Sequence, residues 1–272
     1  MRNGIKKCLA IAALAMFAVM ALAGCGAVAE KSGSSGSGSG SGAAAKHYKI
    51  ACDAKYAPFS MEVNGQYKGI DVELLAAIAK AEGFEYDLKP MDFSGIIPGL
   101  VAGQIDGAIA GMNITEERKK SVDFSDGYIQ SGLAVVVSKD NTSIKKIEDL
   151  QGKTAAVKKG TTGAKFAEDN QAKYGLQISY YDDSPSMMLA VANGNADFLM
   201  EDYPVINYQI KIGEQAKLKI AVDSVIAPPS YGFSVKKGEN AELLKMFNEG
   251  LKKIKADGTY DKIVGEYIVK NK

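Results

Sequence analysis

DGAIAGMNITEERKKSVDFSDGY, residues 106–128, is the stretch that decides how the chain reads. A short apolar strand, Ala108-Ile109-Ala110, ends at Gly111. It runs into a polar bend, Asn113-Ile114-Thr115, and then a charged turn that carries Arg118. Such a bend exposes main-chain N–H groups and a hydroxyl beside a guanidinium. The planar fork of arginine suits a two-bond grip on a carboxylate. The pattern marks a candidate anion-binding strand end. On pattern alone, Arg118 is as able to form a surface ion pair with Glu116 or Glu117.

Outward from this stretch, strand and helix signals alternate. Before it, Tyr48–Ala54 alternates as a strand does, Ile70–Glu82 repeats its apolar residues at helical spacing, Glu85–Pro90 reads as a strand and Gly95–Ala102 as a helix. Ile105–Ala110 reads as a buried strand. After it, strands are expected at Leu133–Ser138, Thr154–Val157 and Ala196–Met200. Helices are expected at Thr162–Tyr174, Pro185–Ala192, Tyr203–Lys211, Leu243–Ala256 and Tyr260–Val269. Repeated strand–helix units predict an α/β fold with mostly parallel sheets covered on both faces. No repeat of solenoid period occurs. The chain could cross between two lobes at 128–132 and at 227–231, where Pro228-Pro229 stiffens the path. Residues 47–129 plus 231–272 would then form one lobe and 133–226 the other. A single continuous α/β domain fits the pattern equally well.

The N-terminus carries different information. Arg2, Lys6 and Lys7 precede an apolar run from Cys8 to Ala23, which reads as a secretory signal, residues 1–24. The run is short for a membrane-spanning helix. Leu22-Ala23-Gly24-Cys25 resembles a bacterial lipobox and implies lipidation of Cys25. Residues 25–46, with KSGSSGSGSGSGAAA at 31–45, read as a flexible tether. The chain would be extracytoplasmic, held to the membrane by a lipid anchor. Of 33 basic residues, cleavage removes Arg2, Lys6 and Lys7, leaving 30 against 32 acidic. That balance excludes a nucleic-acid footprint, which needs a clustered basic excess. With Cys25 lipidated, Cys52 has no intrachain partner and reads as a buried strand thiol. The sole histidine, His47, sits beside the tether, which leaves little material for a metal site or for histidine catalysis.

Six segments of the body carry a family resemblance: ACDAKYAPF (51–59), GIDVELLAAIAK (69–80), LKPMDFSGIIPGL (88–100), AGMNITEERKKSVDFSDGY (110–128), VKKGTTG (157–163) and MEDYP (200–204). In this order they resemble the polar amino-acid-binding proteins of ABC importers, closest to glutamine-binding proteins. The resemblance implies the type II periplasmic-binding-protein fold, two Rossmann-like lobes joined by a two-strand hinge. It implies a monomer that captures a free amino acid and presents it to an ABC permease, with no cofactor and no catalysis.

The resemblance also implies roles. Arg118 would clamp the ligand carboxylate, with main chain near Asn113 assisting. Asp202 would receive the α-ammonium, although its place before Tyr203 also suits a helix N-cap. Tyr56 and Phe93 would sandwich the aliphatic stem, although core filling is the commoner fate of such rings. Ala110 and Gly111 would offer main-chain groups at the strand end. Lys158 and the Gly160–Gly163 turn would bring helix-start N–H groups onto the carboxylate; a solvated turn is the alternative. Asp53 would sense the side chain.

Three positions depart from the glutamine-binding pattern: Asn113 stands for a threonine, Thr162 for a glycine and Glu201 for a histidine. A second carboxyl near Asp53 would reward a cationic side chain, so a basic amino acid, arginine or lysine, is the alternative ligand to glutamine. Glu201 pointing to solvent would remove that reward. Two other classes remain. One is an enzyme on the same scaffold, dehydratase-like, which needs a placed acid or base. The other is a sensor lipoprotein that needs no transporter.

Overall fold

In a computed structural model, residues 46–223 and 229–268 are described. The signal segment, Cys25, the rest of the tether up to residue 45, and residues 227 and 228 of the second crossing lie outside the described residues.

Strand β1 (His47–Asp53) is buried along its last four residues, as a central strand covered on both faces must be. A hairpin follows, β2 (Met61–Val63) and β3 (Gln66–Lys68). It turns at Asn64 and Gly65, both at positive φ (53° and 75°), the geometry an Asn-Gly turn favours. Helix α1 (Ile70–Glu82) buries Ile70, Leu74, Leu75 and Ile78, the stripe that 3.6-residue spacing lines up. Then come β4 (Glu85–Met91), α2 (Phe93–Val101), β5 (Gly107–Ala108), β6 (Val122–Phe124) and β7 (Ile129–Gln130).

A second set follows: β8 (Leu133–Ser138), β9 (Thr154–Lys158), α3 (Thr162–Tyr174), β10 (Gln177–Tyr181), α4 (Ser184–Ala192), β11 (Phe198–Asp202), α5 (Tyr203–Lys211) and β12 (Leu218–Val222). The chain then returns through β13 (Ser230–Tyr231) to β14 (Ser234–Lys236), α6 (Ala241–Ala256) and α7 (Thr259–Tyr267).

Two five-stranded sheets result, in the orders β4-β1-β5-β14-β6 and β10-β9-β11-β8-β12. In the first, β1 runs parallel to β4 and β5, and β14 runs antiparallel to β5 and β6. In the second, β9 runs parallel to β10 and β11, while β8 is antiparallel to β11 and β12. The sheets are therefore mixed, not mostly parallel. The reversed strands β8 and β14 are the ones that enter a sheet directly from a crossing. Between the sheets, β7 and β13 pair antiparallel, Ile129 with Tyr231 and Gln130 with Ser230. This is the two-strand hinge of a two-lobed α/β fold.

Other expectations shift. The helix expected from Gly95 starts at Phe93, directly after Asp92. The strand expected over Ile105–Ala110 is laddered only at Gly107–Ala108. The strand expected at Ala196–Met200 runs to Asp202 and so carries two acidic residues to its end. In the lobe of the first sheet, α6 lays Leu243, Phe247 and Leu251 into the same apolar cluster as Leu74 and Ile78 of α1. The Phe247 ring stacks on Phe233 at 4.4 Å. Truncating such a buried ring costs about 3–5 kcal/mol.

Candidate functional site

Strands β1, β5, β9 and β11 all deliver their C-terminal ends to one cleft, the usual ligand position in open α/β sheets. Tyr56, Phe93, Gly111, Asn113 and Arg118 line it from one lobe; Lys158, Thr162, Glu201 and Asp202 line it from the other. The cavity left is about 20 Å³, room for roughly one water.

Asp202 stands at the N-cap of α5 yet makes no side-chain cap bond. Its buried carboxylate turns into the cleft. It accepts from Tyr231 Oη (2.7 Å), Tyr56 Oη (3.0 Å) and Asn113 Nδ2 (3.1 Å). Burial pushes its pKa up, and the Tyr231 and Tyr56 hydroxyls pull it back.

Arg118 is half-buried on a short 3-10 turn. Its Nη1 donates to the Asn113 carbonyl (2.8 Å) and its Nη2 to the Gly160 carbonyl of the opposite lobe (2.9 Å). The guanidinium lies 5.3 Å from the centre of the Phe93 ring. Burial lowers its pKa, and the Asp202 charge raises it. Two main-chain bonds leave about three of its five N–H donors for a ligand. In this structure Arg118 pairs with neither Glu116 nor Glu117; Glu116 holds Lys119.

Lys158 and Asp53, both 2% exposed, form an ion pair across the lobes. The Lys158 ammonium lies 4.6 Å from the Tyr56 ring centre and 5.5 Å from that of Phe93, close enough for cation–π attraction. Asp53 does not line the cavity itself but stands behind Lys158. The rings of Tyr56 and Phe93 are both core and wall: each is buried in an apolar cluster and each lines the cleft.

Glu201 is buried, 6% exposed, and lines the cavity; it does not point to solvent. Its Oε1 accepts from the Asp202 N–H (2.9 Å). Among the described residues, none meets Oε2 with ordinary hydrogen-bond geometry, although the Ser184 hydroxyl lies beside it. Burial, then the charge of Asp202, raise its pKa to about 7, against the pull of Lys158. Thr162 Oγ1 accepts from Asn113 Nδ2 (3.1 Å) across the lobes. Thr161, not Thr162, caps α3, accepting from the Ala164 N–H.

Two expected positions fall otherwise. Ala110 is fully buried among Phe93, Ile96 and Leu100 and does not reach the cavity. Gly111 does reach it, but its N–H is committed inward, to Asp71 Oδ2 at 2.7 Å. Its φ is +54°, and an added Cβ would meet the Tyr56 ring at 2.5 Å, so only glycine lets that ring close on the strand end. Sequence reasoning missed Tyr231, Tyr128 and Asp71. Asp71 did leave a signal, a carboxylate one turn before Leu74 and Leu75 on an apolar helix face. Tyr231 left none, because its partners are distant in sequence.

Comparison with known proteins adds a second line. The sequence model for bacterial extracellular solute-binding proteins, family 3, matches residues 48–270. The chain is 32% identical over 228 residues to ABC transporter arginine-binding protein 1 of Escherichia coli (strain K12), covering 82% of this chain and 91% of that one. It is 31% identical over 275 residues to the ABC transporter glutamine-binding protein GlnH of Bacillus subtilis (strain 168), covering 97% and 98%. Solved structures of an ancestral arginine-binding protein, one bound to arginine and one bound to glutamine, each align at 40% identity with a TM-score of 0.76, over 82% of this chain and 98% of theirs.

Proposed function

The chain belongs to the bacterial extracellular solute-binding proteins, family 3, and from that membership we propose that it captures a free polar L-amino acid outside the cytoplasm and delivers it to an ABC permease. The observation that carries the reading is the turn of Asp202: a carboxylate at a helix cap faces the cleft instead of the helix, in the cavity that also holds Arg118. Arg118 takes the ligand carboxylate, Asp202 its ammonium, and the rings of Tyr56 and Phe93 flank its stem. Asn113 and Thr162 complete the wall between them. The ligand leaves unchanged.

Glutamine is the ligand we assign. At the side-chain end, once the lobes part and the Lys158–Asp53 pair opens, Lys158 donates and Asp53 accepts, and a primary amide complements both. Arg118 and Lys158 balance Asp53 and Asp202, so a ligand of zero net charge leaves the cleft neutral. One observation favours a second reading, a basic amino acid. An ionised Glu201 gives the cleft one surplus negative charge, which an arginine or lysine side chain offsets. Since Glu201 titrates near pH 7, basic ligands gain as pH rises through that value.

Calorimetric titration with glutamine and with arginine, at about pH 6 and about pH 8, tests the assignment. Glutamine binds more tightly at both, and the gap narrows at the higher pH. Tighter arginine binding at both values overturns the glutamine assignment. In this reading the protein is a monomer anchored through Cys25, with lobes bounded at 47–129 plus 231–272 and at 133–226 and crossings at 128–132 and 227–231. Loss of fatty-acid labelling in Cys25→Ala checks the anchor.

A further inference from the structure

Behind the cleft lies a carboxyl that the ligand roles above leave unused. Asp71 sits in the first turn of α1, 0% exposed. A buried carboxyl is costly unless its oxygens are satisfied, and here each is engaged. Oδ2 accepts the Gly111 N–H at 2.7 Å, and Oδ1 accepts the Tyr128 hydroxyl at 2.8 Å. The same hydroxyl lies 3.2 Å from the Gly111 N–H. The position near a helix N-terminus further favours an acidic group there. Burial raises the Asp71 pKa to about 7, and its two donors hold it down.

The two partners belong to different working parts. Gly111 lies just beyond β5, lines the cleft and supports the Tyr56 ring. Tyr128 immediately precedes β7, where the chain crosses between lobes. Its N–H donates to the Tyr231 carbonyl of the return strand, and its own carbonyl accepts from Tyr260 of α7. A trans peptide is planar, so pointing the Gly111 N–H at Asp71 points the Ala110 carbonyl the opposite way. Asp71 thus decides which face of that peptide is spent inside the lobe.

We propose that Asp71 is a positioning residue for ligand binding: it sets the plane of the Ala110–Gly111 peptide and ties it to the crossing segment at Tyr128. This rests on the reading that the cleft binds an amino acid. The role is geometric. An asparagine at this position can accept from Gly111 with its carbonyl and donate to Tyr128 with its amide, so it preserves both ties; an alanine preserves neither.

The test is calorimetric titration with glutamine and arginine of the wild type, Asp71→Ala and Asp71→Asn, each first shown to melt cooperatively. Asp71→Ala weakens binding of the ligand the wild type takes at least tenfold, and Asp71→Asn restores it to within about threefold. Equal affinity in Asp71→Ala overturns the proposal. An asparagine variant as weak as the alanine one overturns the geometric role. If Asp71→Ala does not fold, Tyr128→Phe carries the test: weakening of threefold or more supports the tie, and unchanged affinity overturns it. A wild type that binds none of the twenty amino acids fails the functional reading itself, an outcome distinct from any of these.

Discussion

Asp202 could have been an ordinary helix cap, and Arg118 half of an ordinary surface ion pair. Each alternative is a local matter, and pattern alone leaves it open. What separates them is where the side chains meet, which only the folded cleft reveals. Arg118→Ala is expected to leave the protein folded with a lowered melting temperature, because it removes two charge-assisted bonds to main-chain carbonyls. It weakens amino-acid binding by more than tenfold, about 1.4 kcal/mol or more, as read by calorimetry. Glu201 gives a second expectation at this scale. Its folded pKa, about 7, lies above that of an unfolded glutamate. The unfolded chain therefore releases the proton first, and stability falls as pH rises from about 4.5 to about 7. Glu201→Gln removes that slope. The variant gains on the wild type by on the order of 3 kcal/mol across the window, measured as denaturant midpoints at both ends.

Elements with long periodic faces were legible. The helices at Ile70–Glu82, Thr162–Tyr174 and Tyr203–Lys211 stand where their apolar spacing puts them. Strands of two or three residues, such as β6, β7, β13 and β14, are too short to show alternation at all. They exist because neighbouring chain pairs with them. The hairpin at Asn64-Gly65 is encoded in turn chemistry, an Asn-Gly pair at positive φ. In the candidate site, the wall residues came from the family resemblance, and pattern alone left Arg118 and Asp202 open. The inward bond of Gly111 was not legible, because it depends on a helix forty residues earlier. Just beyond β5, Gly111→Ala places a Cβ against the Tyr56 ring in a left-handed backbone conformation. The buried, hydrogen-bonded ring has little room to yield. Backbone strain of about 1–2 kcal/mol lowers the melting temperature, and the displaced wall weakens ligand binding at least tenfold in the same titration.

At the scale of the molecule, the two lobes meet through polar ties: Lys158 with Asp53, Lys55 with Asp183, Asn113 with Thr162, and Arg118 with the Gly160 carbonyl. Lys55 is largely exposed, so its pair adds little; the buried Lys158–Asp53 pair and the Tyr56–Asp202–Tyr231 cluster hold more. A cavity of about 20 Å³ admits no amino acid, so entry requires the lobes to part and these ties to exchange for ligand contacts, the hinge motion such folds support. The division into lobes was the least legible feature. It depends on β14 pairing with β5 and β6 more than a hundred residues earlier, and local pattern carries no trace of such pairing. The most direct measurement of the central claim is a thermal-shift screen of the purified protein against all twenty amino acids. A ligand bound only by the folded state raises stability by about 2.7 kcal/mol at a hundred times its Kd. Glutamine is expected to give the largest rise, with arginine and lysine next. No shift with any amino acid would contradict the account.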